Sequence, residues 1–344
     1  MVHIAKGKIN AAMLRAFKQA QKSPAGGLNP QVGCVLIDNK GKIVAQGHHK
    51  GKGTPHAEVA ALSDATNKGL KTAGLSAVVT LEPCDHQGQT PPCTKALIEA
   101  GIKHVYYALS DPNPLAAGGH KTLNQAGITT TKGVRQSQGE ELLARWINQI
   151  KVGRPHVILK SAATLDGKIA ASDSTSKWIT GAKARQYSHK IREQVGAIAV
   201  GTYTVLTDDP TLNARKKDGT AKKQQPQIAI IGNSDIPKTQ RVIKEHASGQ
   251  VTQYKTHNLN EVLASLYEKG VGTLLVEGGA TLNAAFLKAD LVDEIHYYLA
   301  PKILGNGKSA YQDLGITTIN DAKKFSISKI KILTPDLLII LKRS

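Results

Sequence analysis

Several residue types are scarce in this chain of 344 residues: it has three Cys, two Met and two Trp, and aromatic residues make up 4%. No apolar run approaches the ~18 residues of a membrane span. An odd number of cysteines argues against a disulfide framework and favours thiols or metal ligands in a reducing compartment. The first ten residues are polar and basic, and no secretory signal follows them. We therefore expect a soluble, globular, cytoplasmic protein.

Acidic residues are also few, with 26 Asp and Glu against 45 Lys and Arg, which gives a formal net charge of +19. Such a charge attracts nucleic acid, anionic membranes and phosphorylated small molecules alike, so it does not choose among them. The most concentrated basic stretch lies between Arg215 and Lys223 and has no aromatic residues interleaved. We interpret Lys216 to Lys223 as a solvated surface loop.

The chain is about twice the ~150 residues of a usual single domain, which predicts two domains. No repeat of 20–50 residues is visible. A predicted helix ends at Val152-Gly153-Arg154-Pro155, where Gly favours a helix stop and Pro opposes continuation. We place the boundary there, with domains at 1–152 and 153–344.

Hydrophobic periodicity predicts an α/β layer sandwich in the first half and a mixed sheet with helices in the second. The predicted helices of the first half lie near Ile9–Ala20, Pro55–Lys68, Pro91–Ala100 and Gln138–Lys151. Its predicted strands are Val32–Ile37, Ile43–Gln46, Ala77–Leu81 and His104–Leu109. The predicted strands of the second half are His156–Ala162, Ala197–Val200, Ile228–Ile231, Thr273–Val276 and Ile295–Leu299, with a terminal hairpin of Phe325–Ile332 and Leu337–Leu341.

The most specific pattern combines His56-Ala57-Glu58 with Pro83-Cys84 and Cys93. One His and two Cys leave the fourth position of a tetrahedral zinc open, which is typical of a catalytic site. Such a zinc lowers the pKa of its water toward ~7. Glu58 would carry a proton from this water to a departing amine, the chemistry of zinc deaminases. The alternative is a core histidine beside two buried thiols, whereas Cys34 reads as a buried strand residue.

Two further details bear on this pattern. Thr54-Pro55 and Thr90-Pro91 each read as the N-cap and first residue of a helix, which would place His56 and Cys93 in first turns. There the helix dipole favours thiolate and hydroxide. Eight residues separate Cys84 from Cys93, instead of the usual two between paired cysteines.

In the second half, Gly278-Gly279 stands between a predicted strand and a predicted helix. Backbone N–H groups exposed there could bind phosphate, or the pair could form only a tight turn. The pattern is not Gly-x-Gly-x-x-Gly, so it does not indicate a Rossmann fold. Trp178 is either a core anchor or a ligand contact. Arg192, taken alone, reads as part of a solvated helix face.

Motifs in both halves resemble the bifunctional riboflavin-biosynthesis deaminase/reductase family. In the first half these are Asn29-Pro30-x-Val32-Gly33, His56-Ala57-Glu58, Glu82-Pro83-Cys84-x-His86, Thr90-Pro91-Pro92-Cys93 and Asp111-Pro112-Asn113-Pro114. In the second they are Leu165-Asp166-Gly167, Ser176-x-Trp178-Ile179-Thr180, Asp208-Asp209-Pro210-x-Leu212 with Arg215, and Val276-Glu277-Gly278-Gly279. The resemblance implies a cytidine-deaminase-like three-layer α/β domain followed by a dihydrofolate-reductase-like α/β domain.

The resemblance also implies roles for individual residues. The zinc ligands would be His56, Cys84 and Cys93, with Glu58 as proton shuttle and Asn29 and His49 lining the substrate pocket. NADPH would contact Ala162, Trp178, Thr204, Asp208, Gly278, Gly279, Ala280 and Thr281. Ser176, Arg192, Leu212, Arg215 and Glu277 would hold the substrate, with Arg192 and Arg215 suited to its phosphate, and Asp208 would also assist proton delivery.

Three positions depart from the family pattern. Leu28 precedes Asn29-Pro30, Gln89 stands where a basic residue is usual, and Asn233 replaces a Ser near the cofactor. If the usual basic residue meets the substrate phosphate, Lys50 or Lys52 would have to replace it here.

The activity that follows is zinc-dependent hydrolytic deamination of 2,5-diamino-6-ribosylamino-4(3H)-pyrimidinone 5-phosphate. NADPH-dependent reduction of the ribosyl side chain would then give 5-amino-6-(5-phosphoribitylamino)uracil. We expect a homodimer or tetramer that binds neither nucleic acid nor membrane. One rival is a nucleic-acid-editing deaminase, which would need stacking aromatics that are scarce here. Another is a catalytically silent binding module.

Overall fold

The computed structural model describes residues 4–88, 90–114 and 116–343. They form two compact units, one comprising the chain up to Ala25 and Asn29–Val152, the other Gly26–Leu28 and the chain from Gly153 onward. Gly26 belongs to the second unit because its carbonyl accepts hydrogen bonds from the backbone N–H groups of Gly272 and Thr273, at 2.8 and 3.2 Å. In the described part of the chain, no helix is both long enough and apolar enough to cross a membrane.

The first unit alternates helices and strands, as its hydrophobic periodicity predicts. Its helices are α1 (Lys6–Ala20), α2 (Ala57–Asn67), α3 (Cys93–Glu99), α4 (Gly119–Gln125) and α5 (Gln136–Val152). Its strands are β1 (Gly33–Ile37), β2 (Ile43–His48), β3 (Ser76–Leu81), β4 (His104–Leu109) and β5 (Thr129–Thr131).

The five strands form one sheet in the order β2-β1-β3-β4-β5, antiparallel up to β3 and parallel from β3 to β5. Successive residues of a strand face opposite sides of the sheet. Val35 and Ile37 of β1 pack with α1 and α5, while Cys34 and Leu36 pack with α2, α3 and α4. The unit therefore has three layers, with the sheet in the middle.

The second unit is built on a larger sheet. Its helices are α6 (Ala182–Glu193), α7 (Thr202–Asp208), α8 (Arg241–Lys244), α9 (Leu259–Glu268) and α10 (Ala280–Lys288), with a short 3₁₀ helix at Ile319–Asp321. Its strands are β6 (His156–Thr164), β7 (Lys168–Ala170), β8 (Ala197–Gly201), β9 (Gln227–Ile231), β10 (Val251–Tyr254), β11 (Thr273–Val276), β12 (Glu294–Ala300), β13 (Lys308–Ser309), β14 (Phe325–Leu333) and β15 (Asp336–Arg343).

Eight of these strands form a sheet in the order β10-β9-β8-β11-β6-β12-β15-β14, and β7 pairs with β13. The strands from β10 to β12 are parallel, while β15 and β14 form the predicted antiparallel terminal hairpin. Helices α9 and α10 pack on one face, and α6, α7 and α8 pack on the other. The carboxyl ends of the parallel strands meet at one edge, which is where ligands bind in sheets of this kind.

Most predicted elements are confirmed. Strands β4 and β11 have the predicted bounds, and the other predicted strands lie within two residues of theirs. The predicted helix starts at Thr54-Pro55 and Thr90-Pro91 are wrong, because α2 begins after His56 and α3 after Pro92. The Thr54 hydroxyl donates to the Gly51 carbonyl at 2.6 Å instead of capping a helix, and this bond closes a turn ahead of α2.

Candidate active sites

In the first unit, three potential metal ligands converge from distant parts of the chain. His56 precedes α2, Cys84 follows β3, and Cys93 is the first residue of α3. His56 Nδ1 lies 3.4 Å from Cys84 Sγ and 3.3 Å from Cys93 Sγ. Two ligand atoms on one tetrahedral zinc, bound at about 2.0–2.3 Å, lie about 3.5 Å apart. The donor set therefore fits zinc in both chemistry and spacing.

The other ring nitrogen of His56 also suits a metal ligand. His56 Nε2 lies 3.4 Å from Thr90 Oγ1, a partner that orients the ring so that Nδ1 faces the sulfurs. The Cys93 thiol and His56 lower the pKa of the Cys84 thiol to about 4, which favours the thiolate that a metal needs. Cys34, by contrast, is fully buried in β1, which confirms its interpretation as a strand residue.

Glu58 occupies the first turn of α2 and is only 3% exposed. Burial, reinforced by the nearby Cys84, raises the pKa of Glu58 to about 7. A carboxyl group with a pKa in this range can both accept and donate a proton near neutral pH. It lies close enough to Cys93 for a side-chain hydrogen bond, so it faces the metal ligands.

Asn29 and His49, the predicted pocket residues, meet beside this centre. Asn29 Nδ2 lies 3.1 Å from His49 Nε2, and the rings of His49 and His56 meet edge to face with centroids 5.3 Å apart. Burial lowers the pKa of His49, which favours its neutral form. Lys50 and Lys52 are exposed on the segment that follows, and Gln89 lies outside the described residues.

A cleft of about 850 Å³ opens in the second unit at the carboxyl ends of β8, β9 and β11. Its walls include five of the residues predicted for NADPH and one predicted for the substrate: Thr204, Asp208, Gly279, Ala280, Thr281 and Ser176. Gly279 precedes the first turn of α10, so backbone N–H groups at this helix start border the cleft. The cleft is large enough for a dinucleotide, and the residues present fit its phosphates.

Trp178 lies on the surface. Its side chain is 63% exposed, so its interpretation as a core anchor is wrong. The Arg185 guanidinium lies 4.5 Å from the centroid of the indole ring, and Lys302 donates to the Trp178 carbonyl at 2.8 Å. An exposed indole backed by a cation is a surface on which a planar ligand can stack.

Arg192 faces inward from α6, so its interpretation as part of a solvated helix face is wrong. Its Nε and Nη2 atoms donate to the two carboxylate oxygens of Glu277, at 2.6 and 3.0 Å. Lys160 Nζ lies 3.7 Å from the same carboxylate. Burial alone would raise the pKa of Glu277, but Arg192 and Lys160 lower it to about 2. The two Arg192 nitrogens that could bind a phosphate are therefore already bonded to Glu277.

His189 lies beside the Arg192–Glu277 pair. Arg192 Nη1 and His189 Nδ1 both lie 3.1 Å from the Asn213 carbonyl oxygen. Burial, followed by Arg192 and Arg215, lowers the pKa of His189 to about 4. Two guanidinium groups thus create a positive potential around a neutral imidazole, which is an environment that suits an anion.

Other predicted residues lie away from the cleft walls. Leu212 is 4% exposed and packs in the core with α6 and α8, at a backbone φ of 59°. Ala162 packs against Tyr298 and Leu338 on the sheet. Gly278 adjoins the cleft through its neighbour Gly279. Asn233 Nδ2 lies 3.4 Å from His257 Nε2 near the ends of β9 and β10.

Sequence reasoning missed two groups at this site. Lys160 gave a usable signal, because it is a charged residue directly after the apolar run 157–159 of a predicted strand. A charge at such a position indicates a buried partner. His189 gave none, since a histidine between polar residues of a helix reads as surface.

Comparisons with known proteins cover nearly the whole chain. The family profile described as cytidine and deoxycytidylate deaminase zinc-binding region matches residues 6–109, and the profile of the RibD C-terminal domain matches residues 155–339. The chain is 42% identical to the riboflavin biosynthesis protein RibD of Mycobacterium tuberculosis over 313 residues, which covers 91% of this chain and 90% of that protein. It is 36% identical to the RibD of Escherichia coli over 357 residues, with coverages of 94% and 96%.

Solved structures of similar proteins agree with these sequence matches. A diaminohydroxyphosphoribosylaminopyrimidine deaminase/5-amino-6-(5-phosphoribosylamino)uracil reductase from Thermotoga maritima superposes with a TM-score of 0.89 at 33% identity, covering 98% of this chain and 99% of that one. RibD of Acinetobacter baumannii gives a TM-score of 0.87 at 32% identity, with coverages of 99% and 100%. These matches confirm the predicted fold class, a cytidine-deaminase-like unit followed by a dihydrofolate-reductase-like unit.

Proposed function

Because the chain belongs to the RibD family of riboflavin-biosynthesis enzymes, we propose that its two units act in sequence on one phosphorylated aminopyrimidine. The first unit is a zinc-dependent deaminase, and it removes the 2-amino group of 2,5-diamino-6-ribosylamino-4(3H)-pyrimidinone 5-phosphate. The second is an NADPH-dependent reductase that converts the ribosyl side chain to ribityl. The product is 5-amino-6-(5-phosphoribitylamino)uracil.

One observation carries the proposal for the first unit: His56, Cys84 and Cys93 present one nitrogen and two sulfurs within 4.8 Å of one another, with the buried carboxyl group of Glu58 beside them. Bound zinc supplies a water whose pKa is lowered toward ~7. Glu58 would take a proton from the attacking water, whose oxygen bonds to the ring carbon, and would donate it to the departing amino nitrogen, which would leave as ammonia. Asn29 and His49, whose side chains lie 3.1 Å apart beside the metal ligands, would bind the pyrimidine through hydrogen bonds.

In the second unit, the cleft at the helix start after Gly279 holds NADPH. The backbone N–H groups of Ala280 and Thr281 would bind its phosphates, and Thr204 and Asp208 line the same cleft. Trp178 also contacts the cofactor in this proposal, whereas Ala162, packed against Tyr298 and Leu338, lies away from the cleft and is not assigned a cofactor contact. The cofactor would supply a hydride to the ribosyl carbon, and Asp208 would assist delivery of the proton that the ring oxygen takes up as the ribose opens.

The substrate of the second unit binds toward the Arg192–Glu277 pair. Ser176 borders the pyrimidine and its sugar, whereas Leu212, whose side chain is buried in the core, can meet the substrate only through its backbone. Glu277 accepts hydrogen bonds from the substrate while remaining paired to Arg192. The positive potential of Arg192 and Arg215 attracts the 5-phosphate. Of these two, Arg215 binds the phosphate directly, because the fork of Arg192 is occupied by Glu277.

The Asp208 role has its own test. Asp208→Asn keeps the shape of the cleft and removes the ionisable group. We expect single-turnover hydride transfer to slow in this variant while NADPH affinity is retained. An unchanged single-turnover rate would remove Asp208 from the proton path.

We propose the limits 1–152 for the deaminase and 153–344 for the reductase, and a cytoplasmic homodimer or tetramer that binds no nucleic acid. The oligomer is supported by Ile327, Ile330 and Ile332 of β14, which are 63%, 55% and 75% exposed. Such a row of exposed isoleucines on an edge strand favours burial against another copy. Light scattering should give a multiple of the chain mass for the wild type and a smaller mass for Ile330→Lys; a monomeric wild type would overturn this assembly.

The decisive experiment follows ammonia release and NADPH absorbance together, on purified protein with the phosphorylated diaminopyrimidine. We expect ammonia first and NADPH oxidation second. Glu58→Gln should lose both signals, and adding the deaminated intermediate should restore NADPH oxidation alone. Zinc-loaded wild-type protein that releases no ammonia would refute the deaminase, whereas failure to oxidise NADPH with added intermediate would refute the reductase.

A further inference from the structure

Hydrogen bonds around Asp85 join the two segments that carry the cysteine ligands. Asp85 directly follows Cys84, and Thr94 directly follows Cys93. The Thr94 hydroxyl donates to Asp85 Oδ1 at 2.7 Å, and the Thr94 backbone N–H donates to the Cys84 carbonyl at 3.2 Å. Side chain and backbone thus connect the two segments immediately after each sulfur ligand.

The second carboxylate oxygen of Asp85 is also engaged. Thr122 of α4 donates its hydroxyl to Asp85 Oδ2 at 2.6 Å. The Asp85 backbone N–H donates to the Ala116 carbonyl at 3.3 Å, in the segment before α4. A carboxylate that accepts on both oxygens is held in one orientation. Thr94 is only 1% exposed, so its hydroxyl depends on a protein partner, and leaving such a group unpaired is costly.

These bonds matter because of the long spacing between the two cysteines. Where two residues separate paired cysteines, a single turn of chain fixes the distance between the sulfurs. The eight residues from 85 to 92 leave the chain many more conformations, so the distance must be fixed by other contacts. The bonds at Asp85 act where the segment begins and ends.

We infer that Asp85 is a positioning residue of the metal centre, which acts through Thr94 to hold Cys84 and Cys93 at the spacing required by one ion. We call Asp85, Thr94 and Thr122 the Asp85 latch. It deepens the proposed deaminase function and rests on zinc binding there. Groups outside the ligands that orient them govern metal retention, typically by ten- to a hundredfold.

The first test measures zinc release from the holoprotein into a coloured pyridylazo-resorcinol chelator. Thr94→Val has nearly the same shape as threonine but lacks the hydroxyl, and we expect release about tenfold faster, as for Asp85→Ala. Thr94→Ser retains the hydroxyl and should keep the wild-type rate. The double variant Asp85→Ala/Thr94→Val should be no faster than Asp85→Ala alone, since Asp85→Ala already removes the bond that Thr94→Val removes. Thr122→Val removes only the hydrogen bond from α4 to Asp85 and should accelerate zinc release less.

A second readout separates positioning from general stability. Cobalt-substituted protein absorbs in bands that depend on the tetrahedral arrangement of one nitrogen and two sulfurs. A merely structural role for the Asp85 latch would lower the urea midpoint and leave these bands unchanged. Positioning predicts altered bands in Thr94→Val and wild-type bands in Thr94→Ser.

Unchanged release rates and cobalt bands in Thr94→Val would overturn the inference. The comparison of Thr94→Val with Thr94→Ser tests the inference even if Asp85→Ala does not fold. Wild-type protein that binds no stoichiometric zinc would instead refute the proposed deaminase itself. A zinc-binding wild type matched by Thr94→Val would refute the Asp85 latch alone.

Discussion

Arg192 and Glu277 form a two-pronged ion pair, 85 residues apart in the chain, that ties α6 to the end of β11. Both side chains are largely buried, at 15% and 7% exposed. Lys160 of β6 approaches the same carboxylate, so one acidic group balances two cations. The substrate-binding roles proposed for Arg192 and Glu277 therefore depend on each other.

Removing the charge of Glu277 should destabilise the second unit. Glu277→Gln leaves Arg192 and Lys160 without a buried counter-charge, and we expect a loss of about 3 kcal/mol in the free energy of unfolding. Urea denaturation at pH 7 measures it. Glu193→Gln is the matched control, because this half-exposed glutamate pairs with Lys222 near the surface and should cost less than about 1 kcal/mol. Equal losses in both variants would contradict the special status of Glu277.

His189 should make the stability of the second unit depend on pH. Its pKa in the folded chain is lowered from 6.5 to about 4. Between these values the unfolded chain binds a proton that the folded chain does not, so stability rises with pH through this window and levels off above it. His189→Gln should flatten the slope of unfolding free energy against pH between about 4 and 6.5. A slope in His189→Gln equal to that of the wild type would contradict this prediction.

Two cysteine variants separate metal binding from packing. Cys93→Ala removes a sulfur ligand, so we expect loss of stoichiometric zinc and of ammonia release, while NADPH oxidation with added intermediate continues. Cys34→Ala removes a fully buried thiol of β1 that lies outside the ligand cluster. It should retain zinc and lose about 1 kcal/mol of stability through the small cavity. The zinc content of the two purified variants tests this prediction. Zinc retained by Cys93→Ala would contradict the assigned ligand set.

Gly278 and Gly279 should respond differently to alanine. A Cβ at Gly278 would lie 2.7 Å from Leu282 Cβ, closer than packing allows, so Gly278→Ala should lower stability by about 1–3 kcal/mol. A Cβ at Gly279 would meet only Thr204 Oγ1 at an ordinary 3.5 Å. Gly279→Ala should therefore keep wild-type stability yet bind NADPH about tenfold more weakly, because the methyl group enters the cleft beside the helix start. Calorimetry measures the stability of both variants, and titration with NADPH measures their affinity. Equal NADPH affinity in Gly279→Ala and the wild type would place the cofactor elsewhere.

Local pattern predicted much of the fold because period and turn residues act over a few positions. Strands β4 and β11 and the terminal hairpin follow directly from it. The helix starts were missed, since a Thr-Pro pair is only a statistical signal and the Thr54 hydroxyl donates to a neighbouring carbonyl instead. The environment of Trp178 was also undetermined, because an indole suits both a core and an exposed ligand surface.

The candidate metal ligands and the order of the two units follow from the residues alone, because donor type and spacing can be read directly along the chain. Which polar groups meet becomes evident only in the folded protein. Arg192 reaches Glu277 because β11 lies between β6 and β8 in the sheet, and Asp85 reaches Thr94 because α3 folds back on the end of β3. Such pairings depend on strand order and helix packing, which no local pattern specifies.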